Sequence, residues 1–242
     1  MSGSESYLSK GLKQTTRAVA FLLVVTSALP AAAETVEVAP GVRVTKRTYA
    51  APINEQPFFG FAAKDKAQQA ADETFISAVI RTAGTREKAF EETTKRGWRA
   101  INGGKMGEAA QRFNQAFLLS PEQSGVYHGF AAIAQIRFKD LDSADELFKV
   151  ALKQPNPLKA LKADYGRILL IAKRPRDAQV VLELAVKDAP DFGDAWINLA
   201  WARLQNGDAV AACAAAEEAG KQRPSVDTNS ALASVRTSAQ CK

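Results

Sequence analysis

The sequence predicts an all-α fold: a right-handed α-solenoid of about four helical hairpins, with capping helices and an extended N-terminal arm. Three observations predict this class. A pattern of small and large residues recurs about every 34 residues, and a second helical stretch precedes each copy. Alternating strand patterns are absent from residue 62 onward, which disfavours a mixed sheet fold there.

The recurring pattern reads Ala, a large apolar residue four positions on, Ala three further on and Pro five further on. The clearest copies are Ala109, Phe113, Ala116, Pro121 and Ala178, Leu182, Ala185, Pro190. A copy whose large residue has shrunk to Ala is Ala212, Ala216, Ala219, Pro224, and a fourth fits between the first two at Ala144, Phe148, Ala151. The proline stops each helix and begins the link to the next unit.

A partner helix precedes each copy and carries a small residue at a fixed position. This residue is Gly97, Gly166 or Ala200, twelve positions before the first Ala of the pattern, and Ala131, thirteen before, in the remaining copy. Small residues at matching heights on two helices let the backbones approach closely, while the large residue fills the space beside them. The spacing predicts hairpins at 90–123, 124–158, 159–192 and 193–226.

The residues of the last hairpin carry a family resemblance. Trp196, Leu199, Ala200 and Gly207, followed by Ala212, Ala219 and Pro224, resemble the tetratricopeptide repeat (TPR), with its W-x2-L-G-x2-Y, A-x3-F and P skeleton. The resemblance implies a non-enzymatic scaffold or adaptor that binds a peptide or protein segment. We expect it to act within a cell-envelope complex because the N-terminus, described below, predicts export. In this family the first helix of each hairpin lines a concave groove. By register, the groove residues expected here are Trp98, Asn102, His128, Gln135, Arg167, Leu170, Trp201 and Gln205.

The segments on either side of the repeats have different patterns. Apolar residues at helical spacing predict an N-terminal capping helix over 62–84, and a C-terminal capping helix with a tail is expected over 227–242. Alternating valines around Pro40-Gly41 allow either a short hairpin or a loose extended arm over 34–61. The aromatic run Phe58, Phe59, Phe61 either seats this arm on the first helices as core or docks in the protein's own groove or in a partner.

The N-terminus predicts export. Lys10, Lys13 and Arg17 precede an apolar run that Pro30 interrupts, and small residues lead up to Ala33. We therefore expect a signal peptide over 1–33, cleavage after Ala33, a periplasmic or secreted protein and no stable membrane insertion after cleavage. In an oxidising compartment Cys213 and Cys241 are candidates for a disulfide bond; the alternative is two separate thiols.

Composition excludes several function classes. Removal of residues 1–33 leaves 29 Lys and Arg against 25 Asp and Glu, spread along the chain, so nucleic acid is not an expected partner. With one histidine, His128, and no metal-ligand spacing of the cysteines, we expect no enzyme activity, metal or cofactor. Two alternatives to the scaffold remain: a self-associating structural subunit, and an accessory protein that binds envelope polysaccharide.

Overall fold

The computed structural model describes residues 34–222 and 226–242, so the segment predicted to be a signal peptide lies outside the described residues. Two short strands, β1 (Thr35–Ala39) and β2 (Val42–Thr45), come first, followed by two short 3-10 turns, Ile53–Glu55 and Pro57–Phe61. The helices are α1 (Lys66–Ala83), α2 (Arg86–Asn102), α3 (Met106–Leu119), α4 (Ser124–Phe138), α5 (Leu141–Ala151), α6 (Leu161–Ile171), α7 (Pro175–Asp188), α8 (Gly193–Gln205), α9 (Ala209–Lys221) and α10 (Val226–Ala239).

Eight of these helices form four stacked hairpins. Helices α2 and α3, α4 and α5, α6 and α7, and α8 and α9 pack in pairs, each joined by a turn of two or three residues. Each pair also contacts the next pair along the chain. One continuous apolar core runs through the stack. The predicted all-α solenoid is confirmed.

Glycines opposite large side chains bring the two helices of a hairpin close together. A Cβ atom placed on Gly166 would lie 2.3 Å from Leu182, and one on Gly97 would lie 2.9 Å from the Phe113 ring. Phe113 also fills the place of a side chain at Gly129 of the next hairpin, where a Cβ would lie 2.1 Å from the ring. These contacts leave no room for a methyl group, so the small positions of the sequence pattern are small for steric reasons.

The aromatic residues of the repeat bind the loop that precedes their own helix. The Tyr127 hydroxyl donates to the carbonyl oxygen of Pro121 at 2.5 Å, and Trp196 Nε1 donates to that of Pro190 at 2.8 Å. Both donors sit six residues after their proline. The same hydrogen bond therefore occurs in two hairpins. In each it joins the first helix to the proline of the loop that precedes it.

The two ends of the stack are covered to different extents. Helix α1 begins with a capping box between Asp65 and Gln68, and it contacts α2 and α3 without burying a residue fully.

The first hairpin starts at Arg86, four residues before the predicted boundary, because Thr85 caps α2 through the backbone N–H of Lys88. Among the described residues, no helix combines the length and apolar character needed to span a bilayer.

At the C-terminal end, α10 packs on α8 and α9. A disulfide bond joins Cys213 of α9 to Cys241, just beyond the end of α10. Leu232 and Val235 of α10 are buried in the core. The last helix is thus held both by apolar packing and by a covalent link.

The arm is a folded element. Of the two conformations that the sequence left open for 34–61, the structure has the hairpin, in which β1 and β2 pair antiparallel with Val36 opposite Val44. Val42 and Val44 are buried, and β2 contacts α5. The arm is therefore the short hairpin of the two alternatives over 35–45 and not a loose chain there, because the valines on one face of the hairpin are buried against α5.

Candidate protein-binding surface

The candidate surface lies on the first helices of the four hairpins, α2, α4, α6 and α8, and we call it the first-helix face. The opposite surface, formed by α3, α5, α7 and α9, is the second-helix face. Of the eight residues that the sequence places in the groove, Asn102, Arg167 and Gln205 are exposed. Those that are half-buried are Trp98, Gln135, Leu170 and Trp201.

His128 is the exception, and its assignment as an open groove residue is wrong. Its side chain is 1% exposed. It packs between the Trp98 ring, with centroids 4.6 Å apart, and the Phe148 ring, with centroids 5.6 Å apart. His128 is buried because its side chain on α4 points toward the rings of Trp98 and Phe148 on other helices. The helical register of α4 does not reveal these contacts.

The residues around His128 connect three successive first helices. His128 Nε2 lies 3.0 Å from the Asp164 carboxylate of α6. The other oxygen of that carboxylate is 3.8 Å from the Arg167 guanidinium, which is 46% exposed. Trp98 of α2 packs on the His128 ring. Contacts thus run from hairpin one to hairpin three and end at the half-exposed guanidinium of Arg167.

Buried polar atoms without a hydrogen-bond partner gather on the same face. Among the described residues such atoms are few, and three of them belong to predicted groove residues: Trp98 Nε1, His128 Nδ1 and Gln135 Oε1. A buried donor or acceptor without a partner is costly, about 1–3 kcal/mol. Because these atoms lie on α2 and α4, this part of the first-helix face has unused hydrogen-bonding capacity.

The fourth hairpin extends the face. Trp201 and Leu204 of α8 are half-buried against the core, and Gln205 is exposed beside them. Asn198 of the same helix donates to the carbonyl oxygen of Ala163 on α6 at 3.2 Å, so α6 and α8 are linked directly. The two tryptophans of the face, Trp98 and Trp201, belong to hairpins one and four and so mark its two ends.

The arm packs on α3 and α5 of the second-helix face and also contacts α4. Its anchor is Asn114 of α3, which is fully buried. The Asn114 amide donates to the carbonyl oxygens of Asn54 and Gln56, at 3.0 and 2.7 Å, and accepts from the backbone N–H of Phe59 at 3.1 Å. The idea that the arm docks in the protein's own groove is wrong, since α3 supplies these bonds.

Aromatic packing completes the seat of the arm. Phe58 is buried and packs on Phe117, Phe130 and Tyr127, so of the alternatives for this run the core interpretation is the one observed. Three phenylalanines of the run, Phe58, Phe59 and Phe61, have φ angles of 55, 53 and 58°, in the left-handed region. That conformation costs about 1–2 kcal/mol per residue, so the Asn114 bonds and the buried ring must offset it.

Polar contacts at the end of α4 hold the rest of the arm. The Arg137 guanidinium donates to the Glu55 carboxylate at 2.5 Å. The Tyr49 ring stacks on Phe138 with centroids 3.9 Å apart, and its hydroxyl donates to Asp140 at 3.0 Å. Burial, with the nearby Asp140 carboxylate, raises the pKa of Tyr49 to about 12. Sequence reasoning missed Asn114, because a lone polar residue within a helix carries no signal of a distant partner.

The described part of the chain shows no group of three or more His, Cys, Asp or Glu side chains placed to hold a metal ion. Glu91-Glu92 and Glu217-Glu218 lie on solvated helix faces, where all but the partly buried Glu218 are exposed. The chemistry that the first-helix face offers is hydrogen bonding, apolar contact and one half-exposed guanidinium.

Comparison with known proteins gives matches to solved structures. Scans against family models and curated proteins found no match. PilF of Pseudomonas aeruginosa aligns with a TM-score of 0.55 and 20% identity over 64% of this chain and 73% of that chain. A thermophilic TPR protein of Thermus thermophilus gives 0.51 and 16% over 69% of this chain and 99% of that one. PilW, a type IV pilus biogenesis factor, gives 0.50 and 14% over 73% and 89%.

These likenesses are of fold. They agree with the four stacked helical hairpins of this chain. The chain is therefore a protein of the tetratricopeptide-repeat fold.

Proposed function

We propose that this protein is a non-enzymatic scaffold that holds a segment of another protein against its first-helix face. The observation that carries the proposal is the set of unpartnered polar atoms on that face, Trp98 Nε1 and Gln135 Oε1 above all. The arm is anchored on α3 and contacts α5 and α4, and none of its hydrogen bonds to these helices uses a predicted groove residue, so we take the groove residues as the surface available to a partner.

The chemistry of this face suits an extended or helical protein segment. An indole N–H donates and an amide oxygen accepts, which complements the C=O and N–H groups of a peptide. Side-chain rotation on binding, common at interfaces, would turn these two groups toward the partner. Trp98 and Trp201 supply ring surface for apolar anchors, and Arg167 supplies a cation for a carboxylate.

The position of the single histidine, His128, fits a scaffold that catalyses no reaction. His128 is buried between two rings and bound to Asp164, so it has no access to a substrate. The proposal includes export, on the evidence of the apolar N-terminal run and the small residues before Ala33. Among proteins of similar fold, PilW is a type IV pilus biogenesis factor, which suggests the cell envelope as the place to look for a partner.

Site-specific photo-crosslinking in the native cell tests the binding face. A photoreactive amino acid is placed at Gln205 or Asn102 on the first-helix face and, as a matched control, at Val180, which is 62% exposed on α7. We expect the first two positions to crosslink one partner that Val180 does not reach. The purified partner is then titrated against the parent and against the Trp98→Ala, Trp201→Ala double variant.

The expected result is at least about tenfold weaker binding to the double variant, since buried aromatic anchors contribute about 2 kcal/mol or more at interfaces. Cooperative melting of the variant must be retained. Equal crosslinking from Val180 and Gln205, or unchanged affinity of a well-folded double variant, contradicts the proposed face.

Self-association is a second candidate because apolar side chains are exposed on α7. Val180 and Leu184, one turn apart, are 62% and 47% exposed. Exposed apolar residues at helical spacing are typical of contact surfaces. Sedimentation equilibrium of the parent and of Leu184→Ser decides: a dimer that the variant loses supports this candidate, and a monomer at all concentrations removes it.

A further inference from the structure

We propose that the edge formed by the four turns within the hairpins is a separate docking site for an acidic protein segment. All four turns lie along one edge, because the hairpins run in the same direction and successive first helices touch, α2 with α4 and α6 with α8. We call this surface the turn edge. It adjoins the ends of the first helices, so Gln205 lines one of its concave sites, but its proposed role does not depend on the tryptophans of the groove.

At two positions of the turn edge, lysine stands where glycine would make the protein more stable. Each turn has one residue in the left-handed region, directly before the residue that precedes the second helix. In the outer hairpins it is Gly104 or Gly207, with φ of 71 and 88°. In the inner hairpins it is Lys139 or Lys173, with φ of 57 and 58°. A side chain there costs stability that glycine avoids, and strain retained at such positions points to function.

Four cations of this edge have no ion pair. Within residues 34–222 and 226–242, no ion pair reaches the exposed side chains of Lys105, Lys139, Lys173 and Arg176. The carboxylates of the edge are largely engaged: Asp140 and Asp208 cap helices, Asp177 pairs with Arg174, and Glu108 lies 3.7 Å from Arg112. Asp142 is the one acid of the edge without such a contact in these residues. Positive charge is therefore left over along the turns.

The opposite edge differs. There Lys159 lies 2.6 Å from Asp191, and Lys162 pairs with Asp188. These pairs neutralise the cations locally. Lys153 and Lys187 of that edge have no ion pair among the described residues, so it is the lysines in the left-handed conformation that set the turn edge apart.

Two concave sites open on the turn edge, and cations dominate both. A cavity of about 490 Å³ is lined by Arg96, Arg99 and Lys105 and by one acid, Glu108. A second, of about 410 Å³, is lined by Lys173, Arg174 and Arg176, with Asp177 beside them. Carboxylates spaced along an extended chain complement cations that recur from hairpin to hairpin. Among the described residues, neither concave site is lined by an aromatic ring for base stacking, which favours an acidic polypeptide over nucleic acid.

The probe is a short fluorescent Glu-rich peptide, with its Gln counterpart as the neutral control, titrated by anisotropy at low salt and at about 0.15 M salt. Lys139→Gln with Lys173→Gln is the test variant. Lys159→Gln with Lys162→Gln is the matched control, since it removes the same net charge from the other edge. We expect about three- to tenfold weaker binding for the test pair and little change for the control.

A third variant, Lys139→Gly with Lys173→Gly, separates function from strain. It should bind the peptide as weakly as the Gln pair while melting about 2–5 °C higher than the parent, because glycine adopts the left-handed conformation freely. The Trp98→Ala, Trp201→Ala variant should still bind the Glu-rich peptide. Its result therefore tests the turn-edge proposal independently of the proposed groove.

Three outcomes overturn the proposal. They are no binding of the Glu-rich peptide at low salt, equal losses from the variants on the two edges, and tighter binding of single-stranded DNA or heparin than of the peptide under the same conditions.

Discussion

The side-chain amide of Asn114 donates a 2.7 Å hydrogen bond to the carbonyl oxygen of Gln56, and both residues are buried. Gln56 in turn binds the arm to itself, accepting from the backbone N–H of Tyr49 and donating to the carbonyl oxygen of Ala51. One helix residue and one arm residue thus organise the polar interior of the arm's seat. The arm's position depends on this pair.

Replacement of Asn114 by Ala should release the arm. The change leaves the N–H of Phe59 and the carbonyls of Asn54 and Gln56 without their partner. We expect a loss of about 2–3 kcal/mol in the free energy of unfolding, limited by escape of the arm into water. Urea denaturation measures the loss, and hydrogen exchange over 34–61 locates it. Gln115→Ala, whose side chain bonds to Arg112, is the control and should leave exchange in the arm unchanged.

Replacement of Gly166 by Ala should overpack the third hairpin. The new methyl group would lie 2.3 Å from Leu182, while alanine gains about 1 kcal/mol in helix propensity. We expect a net loss of about 1–2 kcal/mol by chemical denaturation. At Gly125 the nearest atom to a new Cβ is 3.6 Å away, so Gly125→Ala should not destabilise.

The loss caused by Gly166→Ala should be smaller in a Leu182→Ala background than in the parent, although Leu182→Ala is itself destabilising because Leu182 is fully buried. The pair of alanines would then match the fourth hairpin, where Ala200 and Ala216 hold the equivalent positions of the repeat. A double-mutant cycle measures the coupling between the two sites. Additive losses would contradict the steric account of the small position.

Reduction of the Cys213–Cys241 disulfide should loosen α10 first. The bond closes a loop with a sequence separation of 28, for which the chain-entropy estimate is a stabilisation of about 3–4 kcal/mol. We expect a lower Tm in reductant and faster hydrogen exchange over 226–239. The Cys213→Ser, Cys241→Ser variant should melt at that lower temperature in either buffer. A reductant effect that persists in this variant would rule out the disulfide as its cause.

Alkaline pH should weaken the arm through Tyr49. Burial and the neighbouring Asp140 carboxylate raise its pKa to about 12, above the ordinary value of 10. The folded state keeps this phenol neutral while the unfolded chain ionises, so its contribution to stability is full below pH 10 and falls as the pH rises to about 12. Tyr49→Phe should show a shallower decline in urea stability over that range. An unchanged slope would mean that Tyr49 does not contribute.

Much of the fold could be predicted because its determinants are local and repeated. Gly97, Gly166, Phe113 and Leu182 recur at fixed spacing, and that spacing is a direct consequence of two helices packing with a small residue under a large one. The groove register followed from the same periodicity and placed Asn102, Arg167 and Gln205 on exposed sites. It failed at His128, because burial at a junction depends on the rings of Trp98 and Phe148, which come from other helices.

The sequence by itself determined the class of fold, the number of hairpins and the residues that bring their helices together, since each depends on contacts between residues close along the chain. Only the tertiary structure decided where the arm lies. The contacts between Asn114 and Gln56 and between Arg137 and Glu55 span 58 and 82 residues. No period in the sequence links such partners, and the free surface they leave for binding is a result of the assembled stack.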